Sequence, residues 1–299
     1  MLCPSAARLS CLSLDLKGGM QIDCKEKPMK VIAVAIIGWL QLWDCRPTAA
    51  GASQGHPSNI IVTPPAISVN NLEIKGEIFM YRRIYTTADY LYTFLVQHGI
   101  KFNNHGYPVI PAECILQETP DEIVPYDHRN ACNHPSKTVV CHFANDQRLY
   151  PRLDALDKDI DKLCKYLAVG GFDLSPRREH DNALQKFTLL LNRMVDAYRA
   201  VHGIKILPNF RTGSIDTINA LSSYPAGCNY LVGTLGCSQR YLKQGDILLR
   251  AKLIFARPEK LFIYGPFKRF YQDTLDEVGQ EYKHYEDFRR ATWLKKEVV

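Results

Sequence analysis

Between residues 138 and 265 the chain alternates short apolar runs with longer amphipathic or turn-like stretches. Five runs carry the pattern: TVVCHF at 138–143, VGGFDL at 169–174, IKILPNF at 204–210, NYLVGT at 229–234 and KLFIY at 260–264. Each is rich in β-branched or aromatic residues and ends on small, polar or reactive ones, in turn Asn145 and Asp146, Ser175, Arg211, Gly236 and Cys237, and Gly265. The stretches between them have helical spacing. In 154–167, Leu156, Ile160, Leu163 and Leu167 form one face opposite Asp157, Lys158, Asp161, Lys162 and Lys165, which predicts a surface helix. In 182–201, Leu184, Phe187, Leu191, Met194 and Tyr198 form a longer stripe that ends before Gly203. A short helix is predicted over 214–221 with Ser214 as its N-cap, and another over 238–256 that Pro258 stops.

Strand, crossover and strand in repetition predict an α/β fold with parallel strands and right-handed crossovers. Five units suit an open doubly wound sheet or an incomplete, TIM-barrel-like one, and YPVIP and ECIL within 100–135 are candidates for further strands. In either architecture the carboxyl ends of the strands share one edge and face the ligand.

Upstream the organisation changes. Residues 76–135 read as a helical and irregular extension before an α/β domain over 136–299. Within it, 76–99 is an aromatic-rich helix with Thr86 or Thr87 as N-cap and Gly99 as C-cap. Tyr81, Tyr85, Tyr90, Tyr92 and Tyr107 are expected to pack it on the body rather than to stack on bases. Residues 55–75 read as a linker, on the Pro, Ser, Gly and Asn of its first half. Residues 1–54 form a leader in which Lys27 and Lys30 precede VIAVAIIGWLQLW and then TAAGAS, the parts of a secretory signal, although the apolar run is too short for a comfortable membrane span. Two readings stand: an exported protein, or a start assigned too far upstream of Met20, Met29 or Met80. The character of the body favours the second and a cytoplasmic protein.

Composition adds bounds. A hydrophobic fraction of 46% and a charged fraction of 23% over 299 residues exclude disorder throughout. The net charge of +6 is scattered, with only Arg82-Arg83, Arg177-Arg178, Arg289-Arg290 and Lys295-Lys296 adjacent, so the charge supports at most weak nucleic-acid binding. Of ten cysteines, Cys3, Cys11, Cys24 and Cys45 lie in the leader. Those of the body are read as reduced.

Several linked motifs carry a resemblance to a family. VVCHFANDQRLY at 139–150, FDLS at 172–175, NRMVDAY at 192–198 followed by HGIKILPNFR, then VGTLGC and LFIYG, resemble in order and spacing the motifs of the bacterial and phage proteins grouped as domain of unknown function 4417. The resemblance spans about 138–270 and implies prokaryotic or mobile-element context and a shared site, with no reaction attached. Phe172 stands where that pattern has proline, and Thr212 where it has an aromatic residue, so the loop shapes there are expected to differ.

The strand endings supply the candidate chemistry. Asp146, Asp173 and Cys237 are the candidate catalytic residues, and Ser175, Asn209, Arg211 and Gly236 the candidate ligand-binding ones. A carboxylate pair does acid/base work when burial separates its two pKa values, and an arginine fork holds a carboxylate or phosphate. The competing expectation is that Asp173, Ser175 and Asn209 merely cap local turns. Cys237, between Gly236 and a helix, is either an activated thiol, with His142 or His180 as base, or a structural one. Cys132, His134, Cys141 and His142 are the only zinc-like set, at a spacing that matches no common knuckle, so no metal is expected. The common nucleotide-binding and hydrolase fingerprints are absent and no cofactor is named. These features predict an α/β enzyme or ligand-binding domain for a small polar or anionic molecule. The alternative is a mobile-element accessory protein that binds nucleic acid or a protein partner.

Overall fold

The computed structural model describes residues 77–234 and 242–297, all within one compact unit of the chain. The leader, the linker, Gly236 and Cys237 lie outside the described residues. The order of elements is α1 (Glu77–Gln97), β1 (Glu122–Pro125), β2 (Thr138–Cys141), α2 (Asp146–Leu153), α3 (Leu156–Leu163), β3 (Ala168–Gly170), α4 (Asn182–Val201), β4 (Ile206–Leu207), a 3-10 helix (Ile215–Ser223), β5 (Tyr230–Gly233), α5 (Leu242–Ala256), β6 (Leu261–Tyr264), α6 (Arg269–Glu277), β7 (Tyr282–Tyr285) and α7 (Phe288–Glu297). Among the described helices none is long and apolar enough to cross a membrane.

All seven strands are parallel and follow one another in chain order. β1 to β4 form one ladder, β5 to β7 a second. The two are joined where Phe210 N donates to Leu231 O at 2.8 Å and Leu231 N to Pro208 O at 2.7 Å. Side chains from every strand meet in one inner apolar cluster: Ile123, Val139, Cys141, Ala168, Leu207, Leu231, Phe262, Tyr264 and Tyr285. Strand side chains alternate between faces, so a shared inner cluster requires the sheet to curl around it while Val140, Val169, Ile206, Tyr230 and Ile263 face the helices. The curl does not close. Between β7 and β1 side chains replace a ladder, with Tyr285 Oη donating to Pro120 O at 2.6 Å and Lys283 Nζ at 3.2 Å, and α7 packs against β1. The fold is therefore α/β with parallel strands alternating with helices, open rather than closed into a barrel.

All five predicted runs contain strands, shorter than the runs themselves because their polar ends leave the ladder to form loops. Differences elsewhere have local causes. Thr86 and Thr87 lie inside α1 rather than capping it, whereas Gly99, at φ +76°, follows the helix in the left-handed conformation that glycine adopts readily. The helix expected over 154–167 is shorter, Leu156–Leu163, and is preceded by a separate helix, α2, that the sequence reading did not include and that carries Pro151. YPVIP contributes only an isolated bridge at Pro108 and ECIL one at Ile115, while β1 is the next segment, Glu122–Pro125.

Gly171, immediately after β3, fixes how closely the loops approach. A Cβ there would lie 2.8 Å from Asn209 N and 3.0 Å from Asp196 Oδ2. Gly171→Ala is expected to lower stability by about 1–3 kcal/mol, through backbone displacement. Urea unfolding checks this, and an unchanged midpoint would contradict the close approach.

Candidate functional site

The carboxyl ends of β2, β3 and β4 bring five of the sequence-predicted residues into one hydrogen-bonded chain. Asn209 Nδ2 donates to Asp173 Oδ1 at 2.7 Å, and Arg211 Nη1 donates to Asp173 Oδ2 at 3.0 Å. The other arm of Arg211, Nη2, donates to Ser175 Oγ at 3.3 Å, and Ser175 N donates to Asp146 Oδ1 at 3.0 Å. The Asp146 carboxylate also lies 3.7 Å from Arg177 Nη2. Asp173 and Asn209 are buried, whereas 36% of the Arg211 side chain remains exposed. Burial pushes the Asp173 carboxyl up to about 6, against the opposing pull of Arg211 and Asn209 and with a smaller upward push from Asp146. Asp173 and Asn209 thus bond to each other, not to a helix terminus. Gly236 and Cys237 cannot be placed beside them, because they fall outside the described residues.

What holds this cluster in place is a buried polar face of α4. Asn192 Oδ1 accepts from Leu174 N at 3.0 Å while its Nδ2 donates to Leu174 O at 2.9 Å. Asp196 accepts from Phe172 N at 2.7 Å and from Tyr224 Oη at 2.6 Å. Arg193 donates to Ala220 O at 3.1 Å, to Tyr224 Oη at 2.9 Å and to Arg211 O at 3.0 Å. Asp173 is thereby flanked by Phe172 and Leu174, both clamped, and Arg211 is held by its own carbonyl. One turn further, Arg199 Nη2 lies 3.0 Å from His142 Nε2. A guanidinium only donates, so His142 is neutral with its proton on Nδ1, facing Gly170 O at 3.2 Å. Burial and the Arg199 charge both hold the His142 pKa well below its ordinary value. His142 is therefore a fixed structural group, with both nitrogens engaged. Burial raises the Cys141 thiol to about 12, and among the described residues no three His, Cys, Asp or Glu side chains gather as metal ligands.

A separate cleft of about 340 Å³ opens on the same edge of the sheet, at the ends of β1, β2 and β6 beside the seam. Cys141 and Tyr264 of the inner cluster line it together with Asn145, Arg148 and Arg152 at α2, Asp127 and His128 after β1, and Phe288 and Arg289 at α7. Asp127 accepts from Arg148 at 3.2 Å and from Arg152 at 2.6 Å, and the Arg152 guanidinium lies 3.5 Å from the centroid of the Tyr126 ring. Cleft and cluster meet at the first turn of α2, where Asn145 lines the one and Asp146 anchors the other.

The family model described as a domain of unknown function (DUF4417) matches residues 102–283. The chain belongs to this family. No curated protein and no solved structure matches it. The matched DUF4417 span begins upstream of β1 and ends inside β7, so it contains the Asp173 cluster, the α4 polar face and most of the cleft lining. Sequence reasoning missed that polar face. Its signal lies in the Asn-Arg-x-x-Asp-x-x-Arg spacing of residues 192–199, polar groups on one side of a helical stretch, 189–201, whose other residues are apolar or aromatic. It also missed the cleft, whose arginines come from two segments distant in sequence, α2 for Arg148 and Arg152 and α7 for Arg289.

Two outcomes are expected for the DUF4417 domain. Asp196→Ala leaves Tyr224 Oη and Phe172 N without their buried acceptor and the Arg193 guanidinium without its buried counter-charge, and should lower stability by about 3–5 kcal/mol, with Asp196→Asn losing less, as read by urea unfolding. The second concerns pH. The Asp173 carboxyl holds its proton more tightly folded, at about 6, than at its ordinary 3.8, so its contribution to stability is full at acid pH and is lost as pH rises through about 6. Asp173→Asn should therefore gain stability relative to wild type between about pH 4 and 7. A parallel pair of pH–stability curves would exclude the raised pKa.

Proposed function

We propose that this domain binds a small anionic molecule at the carboxyl edge of its sheet and presents Asp173 to it as an acid/base group. The observation that supports the reading most directly is the partly exposed Arg211 fork in an otherwise buried polar cluster, bonded to a carboxyl whose pKa is raised to about 6. Arg211 reaches a carboxylate or phosphate from solvent by exchanging its bond to Ser175 Oγ, while Asn209 keeps Asp173 oriented. A carboxyl that titrates near 6 has both of its forms populated close to neutrality, the condition for useful proton transfer. Asp146 would hold the Ser175 backbone on the far side of the ligand rather than react.

Thermal-shift measurements with a panel of aliphatic carboxylates and aliphatic phosphate esters, none with an aromatic ring, test the proposal. At a concentration about 100 times its Kd, a ligand should stabilise wild type by about 2.7 kcal/mol. That gain should disappear in Arg211→Ala and, for the carboxylates, become independent of pH between 5 and 7 in Asp173→Asn. Equal gains in wild type and Arg211→Ala, or no gain from any anion, would reject it.

A further inference from the structure

The cleft beside the seam carries chemistry that the Asp173 cluster does not use. Three guanidinium groups line it, those of Arg148, Arg152 and Arg289, against two carboxylates, Asp127 and Asp287. Asp287 is engaged at the start of α7, where it accepts from Arg289 N at 3.0 Å and Arg290 N at 3.2 Å. Asp127 is shared between Arg148 and Arg152. The cations therefore outnumber the acids, and Arg289 has no ion-pair partner among the described residues. Exposure differs between them. Arg152 is largely buried and packed on Tyr126, whereas the Arg148 side chain is 66% exposed and free to turn from Asp127 toward a ligand.

Much of the remaining lining is aromatic, and it includes two stacked pairs. The His128 and Phe288 rings lie 4.5 Å apart at 16°, and Phe143 stacks on Tyr264 at 5.9 Å and 25°. All four line the cleft. Gly233, at the end of β5, makes room for this arrangement, because a Cβ there would stand 2.5 Å from Cε1 of the Phe143 ring. Paired flat rings accept a further flat ring by stacking, and the volume of about 340 Å³ falls at the lower end of the range for small-molecule pockets.

We propose that this cleft is a second ligand site, which takes a flat aromatic ring carrying a phosphate group, a ligand of the size and chemistry of a nucleoside monophosphate. Arg289 and Arg148 hold the phosphate and Arg152 fixes the local field, while the ring lies among Phe143, His128 and Phe288. Arg211 and Asp173 take no part, so this site stands or falls independently of the acid/base cluster.

Isothermal titration of the full-length protein tests it, with AMP, GMP, CMP and UMP as probes and inorganic phosphate and adenosine as the two separated halves. At least one monophosphate should bind, and the halves should bind at least tenfold more weakly. Joint replacement Arg148→Ala with Arg289→Ala removes two exposed side chains and should weaken that monophosphate at least tenfold with an unchanged melting temperature. Gly233→Ala, which displaces the Phe143 ring, should weaken the monophosphate more than phosphate alone. Arg211→Ala should leave binding within twofold. Failure of all four monophosphates, unchanged affinity in the double variant, or loss in Arg211→Ala would overturn the proposal. Phosphate binding as tightly as the monophosphates would overturn the aromatic part of it.

Discussion

The buried charge on α4 is the constraint on which the candidate site depends. Arg193, Asp196 and Arg199 are almost wholly removed from water, and such groups are tolerated only where partners replace their hydration. Those partners are backbone groups of the loops after β3 and β4, together with Tyr224 and His142. The requirement works in both directions. The helix needs the loops to satisfy its charges, and the loops, which have left the sheet, need the helix to satisfy their amides and carbonyls. Asp173, Asn209 and Arg211 are held where they are because their neighbours in sequence are not free to move.

The curl of the sheet sets the second constraint. Parallel strands in chain order place all carboxyl ends on one side, and the inner cluster holds those ends in an arc. The arc carries two chemically different stretches. After β3 and β4 it is a compact polar cluster in which Asp173 is buried and Arg211 is partly exposed. After β1, β2 and β6 it is an open, aromatic and cationic cleft. The first turn of α2 belongs to both, so its sequence, Asn145 followed by Asp146, serves opposite sides of one backbone segment.

Much of the architecture was legible because it rests on local pattern. Five apolar runs located β2 to β6, and the stripe from Leu184 to Tyr198 located α4. The endings of those runs located Asp146, Asp173, Ser175, Asn209 and Arg211, whose convergence follows from parallel topology alone. What was not legible depends on tertiary context. β1 is four residues ending in proline, and β7, Tyr-Lys-His-Tyr, is too polar to read as a strand until Tyr285 is seen to complete the inner cluster and Lys283 to reach across the seam. Arg193, Asp196 and Arg199 carry no local sign of burial, since no local rule states that loops will cover them. Arg148 and Arg152 are neighbours on α2, but Arg289 joins them only when the sheet curls.

Among the described residues the seam between β7 and β1 leaves the sheet with two edges, and an unpaired strand edge is a template on which another chain can add a strand. Both edges carry the usual deterrents. Each strand is only four residues long. β1 bears Glu122 and stops at Pro125, which has no amide to donate, and β7 bears Lys283 at its second position. The side chains of Lys283 and Tyr285 that reach Pro120 also occupy the gap an incoming strand would need. The groups that stand in for a missing ladder thus act as a guard against self-association, and the openness of the fold need not make it aggregation-prone.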